Sequence, residues 1–433
     1  MWRLGLSAAL LASACQYDRP PDVMAIDATP LDAPPPCTPS TIVCDDAAGV
    51  YTECDAGGSV VRQLTCPLGC ATDTEQCLDI DPHNNLAMYL DMADAAPDVN
   101  VSGGVVINTV AGIISDGSMD LPVPTYLTAT GIRVFVVKSL HLGGTVTVAR
   151  IAGAPSFAFV SAGDVVLEGM LDLGARLNMP GPGGAAPATG DSDCTPFDLF
   201  ASSATGSYGI GGAGGTHAGG AAGGTTVTTG GSGMPARAPL ELPLGGCAGG
   251  SFFDIPSNTL SVPGGAGGGG LQIVSRTSIR LATAAVINAS GGGATTTRQD
   301  RPGGGGGAGG TILLEAPTVE LDGQLVVISV KGGGGGGAGG PTSSGGSGED
   351  GGTSPIPAAG GTSTTPATGG RGGVTTGPES GQNALVQGRH GGGGGGSAGL
   401  VATFTATAAP TLANGATIQG PRLDAAMVTR HWP

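Results

Sequence analysis

The sequence has few of the residues from which proteins build an ordinary core or a charged binding surface. Aromatic residues make up 3% of the 433 residues and charged residues 12%, and lysine occurs only at Lys138 and Lys331. The formal net charge is −16. Because proteins neutralise the nucleic-acid backbone with clustered Lys and Arg, nucleic acid is not expected as a partner. With so few aromatics and so much glycine, the chain cannot build a conventional core throughout.

Signatures of cofactor and metal chemistry are missing as well. The longest glycine runs, 303–310 and 332–340, contain no acidic residue, whereas calcium-binding glycine repeats need an aspartate at a fixed position. No run ends in Gly-Lys-Ser/Thr, so a phosphate-binding loop is not expected. The histidines lack metal-ligand spacing. They are His83, His141, His217, His390 and His431. We therefore expect no cofactor and no metal site.

The N-terminus has the features of an export signal. An arginine precedes a short apolar run, and Ala12-Ser13-Ala14 then leads to Cys15, which is the order of a secretory signal peptide. We predict a signal peptide over residues 1–14. Because Cys15 directly after small residues resembles a bacterial lipobox, we predict that it carries a lipid; ordinary cleavage with an unpaired or trimmed Cys15 is the alternative. Residues 15–36, rich in Pro and Asp, predict a disordered tether.

Cysteine is concentrated in one short segment. Six cysteines fall within 41 residues, and they are Cys37, Cys44, Cys54, Cys66, Cys70 and Cys77. In an exported chain this density predicts a disulfide-rich module over 37–77, because so short a segment lacks a core that could stabilise it. Zinc is a weaker alternative, since no Cys-x-x-Cys pair is present. Lipidation of Cys15 would leave eight cysteines, and we predict a further disulfide between Cys194 and Cys247, with two free buried thiols as the alternative.

The spacing of Cys66-Pro67-Leu68-Gly69-Cys70 and the closing Cys77 resembles small Cys-rich modules near the N-termini of predicted secreted, glycine-rich lipoproteins of myxobacteria and their relatives. This resemblance implies a location in the cell envelope or on the outer surface. It says little about the task of the protein.

Beyond a connector at 78–104, the sequence alternates apolar and polar residues with the period of two that is typical of strands. No comparably long 3.6-residue period appears, so we predict an all-β class. Three segments that begin at Phe157, Leu271 and Ile312 align, and each contains three short strands. Such repetition is typical of a solenoid, because stacked coils bury side chains that one coil cannot. We predict a right-handed parallel β-helix over 105–433; a β-sandwich is the alternative.

Long glycine-rich insertions, at about 180–263, 291–311 and 332–399, separate the coils. They begin and end at equivalent points of the repeat, so they should emerge on one side, where solenoids often carry a binding face. We expect them to project outside the packed interior, and disorder is the first expectation, because runs interrupted by Thr, Ser and Pro bury little. The alternative is that several runs pack together as polyglycine II rods, as in the glycine-rich tips of some phage adhesins, which they resemble.

These features favour an exported, lipid-anchored surface protein with a structural or adhesive role. Its partners would be the outer membrane or cell envelope through the anchor, and glycans, matrix or other cells through the insertions. The alternative is a lyase or hydrolase acting on polysaccharides, which needs acids and a base on one face. The candidates are Asp164, Asp172, Arg276, Arg280 and Asp322. Solvated outward positions explain them equally well, so we assign no catalytic residue. Ice binding by Thr403-x-Thr405-x-Thr407 is a remote alternative.

Overall fold

The computed structural model of the chain describes residues 37–66, 68–71, 75–187, 245–254, 259–364, 367–375, 377–383 and 390–432. The predicted signal peptide, the predicted tether with Cys15, and Cys194 lie outside these residues. The secondary-structure elements of the described part are 27 strands, one short α-helix and one 3-10 turn. This confirms the predicted all-β class at the level of secondary structure.

The cysteine-rich segment forms a small antiparallel sheet closed by disulfides. Its strands are β1 (Ile42–Asp45), β2 (Val50–Cys54) and β3 (Val60–Thr65), hydrogen-bonded in that order. The disulfides join Cys37 to Cys54, Cys44 to Cys70 and Cys66 to Cys77. A segment this small buries little apolar surface, so these links supply much of its stability. We call this unit the disulfide module.

The residues predicted as a connector are structured. They contain β4 (Cys77–Ile80), a 3-10 turn (His83–Asn85), helix α1 (Ala87–Ala93) and β5 (Asp98–Val101). Strand β4 pairs with the last strand of the chain, and β5 pairs with a strand of the repeating body. This segment therefore joins both ends of the body.

From β5 onward the chain repeats a unit of three short strands. The first unit contains β5 and β6 (Val105–Asn108), followed by β7 (Ile113–Ser115) and β8 (Thr125–Leu127). The second unit is β9 (Arg133–Val137), β10 (Ser139–Leu142) and β11 (Val146–Val148), and the third is β12 (Phe157–Ser161), β13 (Val165–Leu167) and β14 (Met170–Asp172). A hairpin of β15 (Phe252–Asp254) and β16 (Thr259–Val262) follows.

Three further units complete the body. They are β17 (Leu271–Ser275), β18 (Ser278–Ala282) and β19 (Val286–Asn288); β20 (Thr311–Glu315), β21 (Thr318–Asp322) and β22 (Val327–Ser329); and β23 (Leu400–Thr405), β24 (Thr411–Leu412) and β25 (Thr417–Gln419). The chain ends with β26 (Arg422–Ala426) and β27 (Thr429–Trp432).

Each unit from β9 onward contributes one strand to each of three sheets, and the first unit contributes two strands, β6 and β7, to sheet 3. Sheet 1 has the order β8-β9-β12-β17-β20-β23-β26, sheet 2 the order β5-β10-β13-β18-β21-β24, and sheet 3 the order β7-β6-β11-β14-β19-β22-β25. Neighbours in these sheets are parallel, except β6 with β7 and β8 with β9. Phe157 pairs with Leu271, and Leu271 with Ile312. The predicted alignment of the three segments is therefore confirmed.

The inward side chains of the three sheets form one continuous apolar core. Leu271, Ile312 and their counterparts Phe157 and Val401 belong to it and are fully buried. Fully burying an aliphatic or aromatic side chain stabilises the fold by about 1.5–3 kcal/mol. Sheet 1 is covered on its outer face as well, where Tyr89 and Leu90 of α1 pack against it.

The glycine runs do not project from this body, and the expectation of disordered surface insertions is wrong for the described runs. The insertions that contain them leave the end of a sheet 3 strand and return to a sheet 1 strand, so they emerge at one corner of the repeat. There they are buried against one another. The buried runs, which we call the glycine bundle, are 246–250, 264–270, 289–294, 303–310, 332–340 and 391–399.

Backbone hydrogen bonds with a period of three residues hold the glycine bundle together. In the central run 303–310, Gly303, Gly306 and Gly309 donate to the run 391–399, and Gly307 and Gly310 donate to the run 289–294. Gly305 and Ala308 donate to the run 246–250, while Gly265 and Gly268 donate to the carbonyls of Gly305 and Ala308. A three-residue period is expected of an extended helix of polyproline II type, which has three residues per turn and no internal hydrogen bonds. The packed-rod alternative therefore describes these runs.

Steric room explains why these positions are glycine. A Cβ on Gly307 would lie 2.0 Å from the carbonyl oxygen of Ala266, and one on Gly393 would lie 1.8 Å from that of Gly304. Both distances are far below van der Waals contact. The missing side chain therefore permits the close approach that the inter-run hydrogen bonds require. Ordering glycine costs backbone entropy, which favours disorder when the sequence is considered alone. The inter-run backbone hydrogen bonds offset that cost here.

The outer glycine segments, 341–364, 367–375 and 377–383, line the outside of the bundle and expose part of their surface. Gly345, Gly348 and Gly351 are buried, whereas Ser344, Ser347 and Ser354 are exposed. One residue in three turns inwards, as an extended three-residue helix requires when only one side is covered. Longer side chains are tolerated at the other positions.

We predict that Gly307→Ala destabilises the protein by about 2–3 kcal/mol, because overpacking forces the backbones of two runs apart. Gly377→Ala is the matched control, since its Cβ would meet nothing within 4 Å; it should change stability by less than about 0.5 kcal/mol. Urea unfolding followed by circular dichroism measures both. Equal stability of the two variants would contradict the close packing of the bundle.

Candidate functional site

The predicted catalytic candidates make separate contacts. Arg280 and Asp322 form an exposed ion pair on sheet 2, with Nε 3.0 Å from Oδ2. Asp164 accepts hydrogen bonds of 2.7 Å from the hydroxyls of Thr277 and Ser278. Arg276 is buried and is bound to other carboxylates. The arrangement that a lyase requires, with these groups converging on one substrate, is therefore not formed by these residues.

Asp172 has a structural role at the end of β14. Its carboxylate accepts hydrogen bonds from Arg150, from Arg176 at 3.1 Å and from Asn288 at 2.9 Å. Burial raises the pKa of this carboxyl, but the charge and hydrogen bond of Arg150 and the bonds from Arg176 and Asn288 outweigh it, so the pKa is lowered. The carboxylate stays ionised and fixes the corner from which the chain enters its first insertion.

A cleft of about 910 Å³ separates the disulfide module from the body. One wall is strand β3 of the module, with Gln63 and Thr65, and the other includes Thr277 at the turn after β17. Arg276, Asp94 and Asp91 also line the cleft, as do Arg62, Arg430 and His431. We call this space the module cleft.

A network of charges forms the floor of the module cleft. Asp79 of β4 is fully buried and lies between two guanidinium groups, with Arg276 Nη2 at 3.2 Å and Arg430 Nη2 at 3.1 Å. Arg276 Nη1 is 2.8 Å from Asp94, and Arg430 also pairs with Asp91. Removing one partner of such a buried pair leaves a charge uncompensated, which is strongly destabilising.

Burial and neighbouring charges have opposing effects on the pKa of Arg430. Burial lowers the pKa of its guanidinium, but the hydrogen bond and charge of Asp91 and the charge of Asp79 outweigh burial, so the pKa is raised. Arg430 lies on β27, which pairs with β4. The network therefore attaches the C-terminal strand to the start of the body.

A second polar cluster lies on the outer face of sheet 1. Gln272 and Glu315 are buried there, side by side on β17 and β20. The His83 ring places Nδ1 2.5 Å from a Glu315 oxygen, and its backbone N–H donates to the same oxygen at 3.1 Å. Asn84 donates to the Gln272 carbonyl at 2.9 Å. The 3-10 turn is thus fixed on a buried carboxylate.

The 3-10 turn has two unusual features, a histidine with a raised pKa and a left-handed backbone. The hydrogen bond to Glu315 raises the pKa of His83, against the effect of burial and with the help of the Glu315 and Asp81 charges. Asn84 and Asn85 have φ values of 62° and 57°, a left-handed conformation that is uncommon outside glycine. The bonds to Glu315 and Gln272 hold the strained backbone in place.

Lys331 is a buried lysine directly before the run 332–340. It is 1% exposed, and its ammonium donates to the carbonyls of Ser354 and of Ile356, the latter at 2.8 Å. Burial lowers the pKa of this group to about 8. The ammonium fixes an outer glycine segment to the end of sheet 3, and no side-chain carbonyl or carboxylate bonds to it in the described contacts.

One cluster of sulfur atoms is close enough to suggest a metal site, but its sulfurs are already bonded in disulfides. Among the described residues, the sulfurs of Cys44, Cys66 and Cys70 lie within 4.8 Å of one another. All three are half-cystines of the module, and thiolates rather than disulfide sulfurs are the ligands that zinc needs. Cys247 is also disulfide-bonded, and its predicted partner Cys194 is not among the described residues.

The threonine ladder proposed for ice binding is not an exposed surface. Thr403 and Thr405 are 0% and 1% exposed, and Thr403 donates to Asp424 of the neighbouring strand. Only Thr407 of the three is exposed. A flat row of accessible threonines is therefore not available here.

Among the described residues, none of the helices has the length and apolar character needed to cross a membrane. Comparison of the chain with protein-family models, with curated proteins and with solved structures finds no match.

The module cleft and the His83 turn could not be assigned from the sequence. Asp79 and Arg276 are 197 residues apart, and His83 and Glu315 are 232 residues apart. The sequence held one signal for Glu315, which ends an apolar strand where the equivalent positions carry Val160 and Val274. A charge at a covered strand position indicates a partner, but not which one.

We predict that His83→Gln lowers stability at pH 6 and that the loss shrinks as the pH rises. His83 has a raised pKa in the folded state, so its contribution is fully present below the unfolded pKa and disappears as the pH passes the folded pKa. Unfolding free energies of both proteins between pH 5.5 and 9 measure this. In a Glu315→Gln background, His83→Gln should have no pH-dependent effect; a persisting dependence would contradict the assignment to this pair.

Proposed function

We propose that this chain is an exported cell-surface protein, anchored by a lipid on Cys15, with a structural or adhesive role. Its tether would hold the disulfide module and the three-sheet body away from the membrane. The body would be a right-handed parallel β-helix. Its glycine insertions would serve as packed rods that thicken one corner of the column.

The strand order supports the β-helix proposal. Three parallel sheets that each receive one strand per unit are the arrangement expected when a chain winds repeatedly around one core. The antiparallel strands β7 and β8 form the edges of sheets 3 and 1, pairing with β6 and β9 at one end of the body. Covering an end in this way reduces unwanted pairing with another chain.

The disulfides support an exported location. Three disulfides within one small module are typical of oxidising, extracytoplasmic compartments. This agrees with the export signal predicted over residues 1–14. The resemblance of the module to those of secreted myxobacterial lipoproteins points to the same location.

The use of the charged residues is the observation that carries the structural or adhesive role. Arg150, Arg276, Arg280 and Arg430 are all engaged in ion pairs with aspartates of the fold. Catalysis would need such groups directed at a substrate. The outer glycine segments instead present small polar side chains on a rigid support, which suits broad surface contact.

Lipid attachment can be tested directly. We predict that cells fed a fatty-acid probe label the native chain and not Cys15→Ala, because only a thiol at this position can receive the lipid. Cys37 is half of a disulfide, so the remaining cysteines of the module should not substitute for it. Equal labelling of both proteins, or labelling of neither, would contradict the anchor.

Adhesion is tested separately with the full-length Cys15→Ala protein, which removes any contribution of the lipid. We expect saturable binding of the purified protein to a glycan array, to matrix components or to cells. A heat-unfolded sample serves as the control for non-specific binding. Failure to bind any glycan, matrix or cell surface would reject the adhesive role.

A further inference from the structure

The module cleft has the size of a binding site. At about 910 Å³ it lies in the upper part of the range of about 300–1,000 Å³ that small-molecule sites occupy. It lies between two independently stabilised walls, since the module is closed by disulfides and the body by its core. A ligand would therefore meet surfaces that need little reorganisation.

Its fixed charges balance. Arg62, Arg276 and Arg430 line the cleft together with Asp91 and Asp94. Asp79 lies directly beneath them, fully buried and paired with Arg276 and Arg430, so the six charges of the cleft and its floor sum to zero. A site with equal numbers of positive and negative groups gains no net attraction for an anion or a cation. The ligand that fits is electrically neutral.

The same groups are held ready to bind hydroxyls. Asp91 and Asp94 are bonded to arginines, yet their side chains remain 41% and 56% exposed. A carboxylate offers about four acceptor positions, so each retains capacity for a ligand. Because the arginines fix these carboxylates, little side-chain freedom is lost on binding.

The walls add groups that both donate and accept. Gln63 and Thr65 of β3 and Thr277 of the body are exposed and line opposite sides. Amides and hydroxyls each carry donors and acceptors, which is the pattern that the vicinal hydroxyls of a sugar present in return. Leu64 and Ala162 supply apolar surface within the same cleft.

From this geometry we infer that the module cleft is a binding site for an uncharged oligosaccharide, held between the disulfide module and the body. The inference rests on the proposed adhesive function and names the ligand class and the place for it. The bound sugar would accept from the guanidinium groups of Arg62 and Arg430 and donate to Asp91 and Asp94. It would exchange hydrogen bonds with Gln63 and Thr65 and donate to the hydroxyl oxygen of Thr277, whose own proton is bound by Asp164.

The test uses full-length Cys15→Ala protein and two sets of probes. One set contains neutral tetrasaccharides of glucose, mannose, galactose and N-acetylglucosamine, and the other contains acidic galacturonate and heparin fragments. We expect binding to at least one neutral probe, unchanged when NaCl is raised from 50 to 300 mM, because no counterions are released by a neutral ligand.

Wall variants locate the site. Gln63→Ala combined with Thr65→Ala and Thr277→Ala should weaken binding at least tenfold, while all three positions are exposed and should not affect folding, as a thermal melt verifies. Thr318→Ala is the matched control, since it is an exposed threonine on sheet 2 outside the cleft; it should bind within twofold of the parent. Thr65→Trp, which narrows the cleft, should also weaken binding.

The outcomes separate the inference from the function on which it rests. Unchanged binding by the wall variants overturns the cleft site and leaves adhesion standing. Salt-sensitive binding to acidic probes alone overturns the assignment to neutral sugars. Binding to cells or matrix without binding to any oligosaccharide also overturns the inference, whereas binding to no surface at all rejects the adhesive function itself.

Discussion

Hydrogen bonding between the backbones of separate glycine runs is the constraint on which this structure depends. The runs bury peptide groups without burying side chains, so their N–H and C=O groups must find partners in other runs. Gly303, Gly306 and Gly309 satisfy this by donating to a single neighbour, one turn apart each time. The partners come close enough only because no Cβ intervenes. Glycine here is the packing residue of the interior, and its loss of entropy on ordering is offset by backbone bonds.

The column of strands and the glycine bundle determine each other's spacing. Successive runs start from β19 and β22 and end at β20 and β23, so the distance between neighbouring strands, about 4.8 Å, determines where each run enters the bundle. The runs in turn occupy the corner between sheets 3 and 1, where apolar side chains alone would leave the backbone uncovered. Asp172 and Lys331 stabilise this corner, each at the end of a sheet 3 strand.

Much of the column could be predicted from the sequence, and much of the bundle and cleft could not. Alternation within a strand is local information, so the pairing of Leu271 with Ile312 could be predicted from the pattern of each segment. The burial of the glycine runs depends on six segments meeting, and no single run carries a signal for that. The same applies to His83 with Glu315 and to Asp79 with Arg276, where each residue is unremarkable in its own surroundings and acquires its role from a distant partner.

The charged residues of the module cleft have two roles, docking of the C-terminal strand and contact with a ligand, and the sequence alone does not distinguish them. Asp79 is fully buried between Arg276 and Arg430, so these three residues are required for the C-terminal strand to dock, whatever binds in the cleft. They therefore supply fixed charges on the cleft floor but are not free to vary with the ligand. Discrimination between sugars must then come from the exposed walls, where Gln63, Thr65 and Thr277 can change without leaving a buried charge unpaired.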